Sequence, residues 1–465
     1  MSVATPGDGP WEPAVAPDPA GFVATTVAVD PSTWSTTSAA VLAEAADAGM
    51  LVVGRDRTLA ATGVAATLPL PGGLEDAEAL PAVRAWLAAV EHTDGAERRT
   101  PSTGPPGAMA IGAFPFERAS PAFLVVPSAT WCRDGRGRVW RVEVRQRAQR
   151  AQSQAGPARR PGRLEDEARG TTVGGADPGA AAREPCELEQ VPEPAGYLDA
   201  VSHALGDIRD GVLRKVVLGR MVRLQLPDWP VPSRLLRTLW DDDDVFLAFS
   251  VPTPTGRLVG ASPELVIARR GRNVTSHAFA GTVGLLDPGA SGDGQRLLDS
   301  MKDRTEHELV VEEIVGTLGP RCADLQVPEE PTVVRLRSDA RLGTLIRGTL
   351  TARPSPGGTA LTLLALLHPT PAVGGVPRAA ALDLIAALEA APRGYWAGAV
   401  GWTDGAGDGE WVLGIRSVEL EGRRALVRAG AGIVATSDPR AELAETNVKL
   451  RPVLDALWPG ASALL

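Results

Sequence analysis

Lysine is nearly missing from this sequence. Of 47 basic residues only Lys215, Lys302 and Lys449 are lysine, and all the others are arginine. An ammonium can lose its proton and act as a base, whereas a guanidinium cannot. Each lysine therefore marks a place to look for ammonium chemistry. Cysteine is scarce as well. Cys132, Cys186 and Cys322 are odd in number and widely spaced, which excludes a disulfide framework and a CxxC metal site and reads as three free thiols in a reducing compartment. No apolar run approaches the roughly 18 residues of a membrane span. The N-terminal MSVATPGDGPWEPAVAPDP has neither the basic region nor the apolar core of a secretory signal, so the expectation is a cytoplasmic protein with no membrane partner. Positive charge is in deficit, 47 against 56 acidic residues, for a net charge of −9 and a pI near 5.3. That balance argues against a general binder of nucleic-acid phosphates. GxxxxGK[ST], GxSxG and a strand-linked GxGxxG are also absent.

With 44% apolar residues over 465 positions the chain can bury a large core, and length alone suggests two or three domains. Residues 1–20 are rich in Pro, Ala and Gly and read as disordered. Residues 21–145 read as globular, with strands at Val52–Val53 and Phe123–Pro127 and a helix over Ala79–Val90. Residues 146–194 hold almost no large apolar side chain and read as a flexible insertion or linker. Helical spacing resumes at Tyr197, and the β-branched segment Arg214–Arg220 predicts a strand entering the core. Further strands are expected at 245–251, 257–260, 265–269, 410–415 and 425–429. Helices are expected at 296–318, 359–367, 379–390 and 442–457. The alternation indicates a mixed α/β fold.

Two helical segments carry paired carboxylates. Asp303 and Glu306 are i,i+3 in MKDRTEHEL, as are Glu442 and Glu445 in AELAETNVK, with Lys449 one turn beyond Glu445. Two carboxylates on a face suit a hard cation such as Mg²⁺; the same spacing also suits a solvated ion-pair ladder. His307-Glu308 begins like HExxH, but Val311 ends that reading. Glu264, in GASPEL at the start of an apolar strand, would become a general acid if burial raised its pKa, or an edge salt bridge if not. The turn at Gly281-Thr282 can offer N–H and hydroxyl groups to an anion. Gly430-Ala431-Gly432 permits close approach of a ligand, or tight packing. Arg416 follows an apolar strand and needs an anionic partner. His368, in HPTPAVGG, is either a site residue or a partner for a helix C-terminus. The aspartates 241–244 read as an exposed loop.

The blocks KVVLGR, GASPEL, AGT, KDRTEHELV, HPTPAVGG, GEWVLGIRS, AGAGIV and ETNVKL, in this order over roughly residues 195–457, resemble the chorismate-utilising enzymes, and isochorismate synthases most closely. The resemblance implies a single large αββα sandwich of the anthranilate synthase component I type, in which residues before 150 form a variable part of the same domain. It implies chorismate as substrate, with water adding at ring carbon 2 and the hydroxyl of carbon 4 leaving. Lys215 then falls at the general base and Glu264 at the general acid. Glu306 and Glu445 fall at Mg²⁺ ligands, with Asp303 and Glu442 supporting through water. Gly281, Thr282, His368, Arg416, Gly430, Ala431, Gly432 and Lys449 fall at substrate-binding positions. Ammonia-adding relatives carry Gln at Lys215, and the aminodeoxychorismate type places a nucleophilic lysine where Ala280 stands, so no glutamine amidotransferase partner is implied. Ile415 before the arginine favours isochorismate over salicylate as the product, while Trp396 departs from both patterns. Salicylate synthase, anthranilate synthase component I and a non-catalytic chorismate binder stand as alternatives. A monomer is the expectation. Menaquinone and siderophore routes both use isochorismate, and the sequence does not separate them.

Overall fold

Several strands are buried at every position. Met109–Phe114, Ala122–Val126, Leu247–Thr253 and Gly409–Leu413 have no exposed residue. Continuous burial means that both faces of these strands are covered. The computed structural model, which describes residues 16–93, 106–147, 187–240, 245–284, 293–335, 339–351 and 358–465, shows what covers them. Two large sheets, of 13 and 10 strands, stack face to face. Met50, Leu59, Leu247 and Phe249 from one sheet pack against Ile111, Val125, Trp402 and Val412 from the other. Helices close the outer faces. Pro31–Asp47, Pro232–Leu239 and Pro439–Leu457 cover the larger sheet through Ala45 and Ala46, Leu235, and Leu450 and Leu454 respectively. Ala79–Ala89, Met301–Leu318 and Ala360–Leu367 are among the helices of the other large core, through Trp86, Ile314 and Leu364. This is the αββα sandwich that the resemblance implies.

Early and late parts of the chain interleave. Met50–Gly54 pairs with Leu247–Thr253, and Met109–Phe114 pairs with Ala399–Asp404. The two sheets are thus built jointly by residues before 147 and after 187, and the length-based division into two or three domains does not describe them. The expected elements appear with shifted ends. The helix expected over 296–318 is two, Asp293–Asp299 and Met301–Leu318, broken where the Ser300 hydroxyl accepts from the Asp303 N–H. Of the expected linker over 146–194, residues 148–186 lie outside the described residues, and Gln146 ends the strand Val139–Gln146. Glu187–Val191 forms an edge strand on Lys215–Gln225, since its alternating Leu188 and Gln190 suit a half-covered ladder. Of residues 1–20, positions 1–15 lie outside the described residues, while the Pro17 carbonyl accepts from the Trp86 indole. The aspartates 241–244 and Cys186 also lie outside; Cys132 and Cys322 are free thiols. Among the described residues no helix is long and apolar enough to cross a membrane.

Candidate active site

Lys215 opens the strand Lys215–Gln225 and is fully buried. Its Nζ lies 3.0 Å from Glu306 Oε1, an ion-pair contact without the angles of a well-directed hydrogen bond. Glu306 reaches it from Met301–Leu318, whose buried Val310, Ile314 and Leu318 fix the face that the helix turns inward. Gly432 makes the approach possible. A Cβ at that position would stand 2.1 Å from Glu306 Oε1. Gly281, at φ +72°, gives the same room to Asp303, whose Cβ would lie 2.7 Å from one added there.

The second carboxylate helix meets the first through lysine. Lys302 Nζ is 2.8 Å from Glu442 Oε1 and 3.5 Å from Glu445 Oε2. Lys449 Nζ donates to Glu445 Oε1 at 2.6 Å and to the Gly430 carbonyl at 2.9 Å. All three lysines of the chain thus converge on Glu306, Glu442 and Glu445.

Burial sets the protonation pattern. It makes the Lys215 ammonium easier to deprotonate than an exposed one, against the opposing pull of Glu306 and Glu264. Glu306 stays ionised: burial pushes it up, but Lys215, Lys302 and Lys449 pull it below the usual range. Lys302 is held charged by Glu445, Glu306 and Glu442 in spite of its burial. Glu442 is raised to about 7 by burial and by Glu445 beside it. Asp303 is raised by burial. Glu264 is pushed up to about 8 by burial, which outweighs Arg341, Lys215 and Lys449. A lysine eased toward the free amine and a carboxyl held protonated at neutral pH are the two states a base and an acid need.

An open cleft lies beside these groups. Glu264, Gly281, Thr282, Glu306, Arg416, Gly430, Gly432 and Lys449 line it. Lys215 touches the lining residue Glu306, Asp303 abuts Gly281, Glu445 contacts Lys449, and Glu442 contacts Lys302. Two of the expected substrate-binding residues do not line it. Ala431 is buried in the ladder opposite Leu218. His368 caps the C-terminus of Ala360–Leu367 and lies edge-on to Phe116, with centroids 6.1 Å apart. Burial lowers its imidazole to about 3. Of its two readings from sequence, the structure places it as a helix-end residue; Ala372 and Val373 are what its loop offers to the cleft.

Two cleft groups escaped sequence reasoning. Arg341 lines the cleft, and Asp339 beneath it accepts from both Arg341 and Arg416. The i,i+2 spacing of Asp339 and Arg341, which puts them on one face of a strand, was the available signal. Arg416 (φ +51°) and Ala397 (φ +60°) are the non-glycine residues in the left-handed region among the described residues. They are joined through Gly414, whose carbonyl accepts from the Ala397 N–H. Strain of this kind gathers at functional sites.

Among the described residues no three Asp, Glu, His or Cys side chains form a ready-made metal cage. The donor set nevertheless fits Mg²⁺, which needs only one or two protein carboxylates beside water and substrate oxygens. Glu306 Oε2 is buried without a hydrogen-bond partner, and Glu306 stays ionised, so hard anionic oxygen is left in hand.

The chain resembles known proteins over most of its length. A family model described as chorismate binding enzyme matches residues 56–458. Isochorismate synthase DhbC of Bacillus subtilis is 34% identical over 369 residues, which cover 77% of this chain and 83% of that protein. Isochorismate synthase EntC of Escherichia coli is 37% identical over 275 residues, covering 58% and 68%. Among solved structures, MenF, the menaquinone-specific isochorismate synthase from Escherichia coli, shares the fold with a TM-score of 0.71 at 22% identity, over 96% of each chain.

Proposed function

Because this chain belongs to the chorismate-binding enzyme family, we propose that it is an isochorismate synthase. The observation that carries the proposal is the pairing, around one cleft, of an amine eased toward its free form, Lys215, with a carboxyl held protonated, Glu264. Lys215 takes a proton from water, and the oxygen attacks ring carbon 2 of chorismate. The ring double bonds shift and the carbon–oxygen bond at carbon 4 breaks. Glu264 gives its proton to the departing hydroxyl, which leaves as water. One water enters and one leaves, so the product is an isomer of the substrate. Glu306 beside Lys215 stabilises the ammonium that forms.

Arg416 and the backbone of Gly430–Gly432 receive the enolpyruvyl carboxylate. Thr282 and the N–H groups around Gly281 contact the substrate, and Lys449 adds positive charge. Glu306 and Glu445 would hold Mg²⁺, with Asp303 and Glu442 supporting through water. That ion would supply positive charge to the ring carboxylate. Water is the nucleophile because Lys215 stands where ammonia-using relatives carry Gln, and Ala280 offers no nucleophile, so no amidotransferase is needed. Ile415, at the cleft wall, favours release of isochorismate. We read the protein as a cytoplasmic monomer.

Chromatography of chorismate incubated with enzyme and Mg²⁺ tests the proposal. Isochorismate should accumulate, and chelation should stop it. Salicylate with pyruvate in equal amounts would instead make the protein a salicylate synthase.

A further inference from the structure

We infer that Arg393, a buried arginine that does not line the cleft, is a positioning residue: it hangs two irregular segments of the cleft wall on one rigid strand and so sets how tightly the substrate binds. The inference rests on the functional reading above. The anchor is the strand Lys215–Gln225, which pairs with Arg424–Ile433 from Val216 to Gln225. Val217 on this strand lines the cleft, as do Val373 and Trp396. Those two have no ladder to hold them. Val373 stands in the turn after His368, and Trp396 in the loop that follows the helix Arg378–Leu388. Arg393 reaches all three. Its Nη1 donates to the Val373 carbonyl at 2.6 Å and its Nη2 to the Val217 carbonyl at 2.7 Å. Its guanidinium carbon lies 4.9 Å from the centroid of the Trp396 ring and 4.2 Å from that of Phe116. Glu389 closes the bracket. It accepts from Arg393 Nε at 2.9 Å and from Nη2, and its Oε1 also accepts from the Gly219 N–H at 2.7 Å. The loop is thus tied to the strand at both Val217 and Gly219.

The same strand gives the Trp396 ring its place. A Cβ on Gly219 would stand 2.6 Å from the ring, and one on Gly430, its ladder partner, 3.0 Å. The indole fills a notch that two paired glycines leave open, and Arg393 lies over the ring that fills it. An ion pair with Glu389 would satisfy the buried charge by itself. The planar fork of Arg393 does more, because it matches the carbonyls of two wall residues at once, which an ammonium on a flexible stem cannot do. Val217, Val373 and Trp396 are apolar and carry no reacting group. Their contact with the body of the substrate is the same in the ground state and in the transition state, so a slack wall raises KM and leaves kcat largely as it was.

Arg393→Lys and Arg393→Ala in the full-length enzyme test this, with chorismate as the probe and Asp408→Asn, in a buried pair far from the cleft, as the control for lost stability alone. Arg393→Lys keeps a cation for Glu389 but loses the fork. Its KM should rise roughly tenfold, with kcat within about threefold of the parent. Arg393→Ala should raise KM further. Millimolar guanidinium chloride, far below denaturing concentrations, should lower that KM again where potassium chloride does not, because the cavity lined by Gly219, Glu389, Arg393 and Trp396 gives the ion a place beside Glu389. Should the alanine variant fail to fold, the lysine variant decides. If KM in Arg393→Lys stays within about twofold of the parent while the melting temperature falls as in Asp408→Asn, Arg393 is a structural ion pair and the inference is overturned. A parent enzyme that leaves chorismate untouched overturns the functional reading, and this inference with it. A working parent with an unmoved Arg393→Lys overturns this inference alone.

Discussion

Replacing Glu264 by glutamine isolates one buried proton. Glu264 is 6% exposed, and burial lifts its carboxyl from 4.5 to about 8. Over that interval the folded protein keeps a proton that the unfolded chain has released. Stability changes with pH in proportion to protons bound unfolded minus protons bound folded. That difference is negative here, so this group's contribution falls as pH rises. The slope is about 1.4 kcal/mol per pH unit, and the whole interval amounts to roughly 5 kcal/mol. Glutamine has no such proton. The unfolding free energies of parent and Glu264→Gln, measured in urea at several pH values from about 5 to 8, should therefore diverge steadily in favour of the variant. Titrating groups remote from Glu264 cancel in the difference. In activity, kcat/KM of the parent should fall as pH rises through about 8, and the variant should lose about 10²–10⁴-fold of turnover. Parallel stability curves across the range would mean that Glu264 is already ionised at neutral pH, and the acid role would be lost.

Other outcomes follow from the same geometry. Gly432→Ala places a methyl where Glu306 Oε1 now sits, 2.1 Å from the ideal Cβ; displacement on the order of an ångström should lower kcat about 10²-fold. Gly316→Ala, with nothing within 4 Å of the added Cβ, should leave kinetics unchanged, and equal effects from the two would refute the steric argument. Lys215→Ala should lose about 10²–10⁴-fold in turnover while circular dichroism shows a folded protein, and near-normal turnover would remove the base. Far from the cleft, Arg269 and Asp408 form a buried pair at 2.9 Å. Asp408→Asn should cost about 3–5 kcal/mol in urea unfolding with kcat intact, and a variant as stable as the parent would show the pair to be dispensable.

Much of the site lay within short segments and could be read there. Asp303 with Glu306, and Glu442 with Glu445 and Lys449, are helix-face patterns visible in single windows. That the two helices face each other is a property of the fold; Lys302, which had no firm role by spacing, is the side chain that bridges them. Arg341 was hidden for a different reason. In a chain with 47 basic residues of which three are lysine, one more arginine carries little signal, and its meaning comes from sharing Asp339 with Arg416, 75 positions away. His368 shows the opposite error. It stands inside a motif block, yet its ring is core, because Ala372 and Val373 farther along the same turn are what reach the cleft. The Ser300 break was missed because apolar spacing runs on through it, while the serine cap starts a new helix.

The central claim is that external water, activated at Lys215, supplies the new hydroxyl. Mass spectrometry of isochorismate formed in water enriched in oxygen-18 tests it most directly. One labelled oxygen per product molecule is expected after a single turnover, with the label at carbon 2. Unlabelled product would mean that the hydroxyl migrates within the substrate, and neither Lys215 as base nor Glu264 as acid could then hold the roles assigned to them.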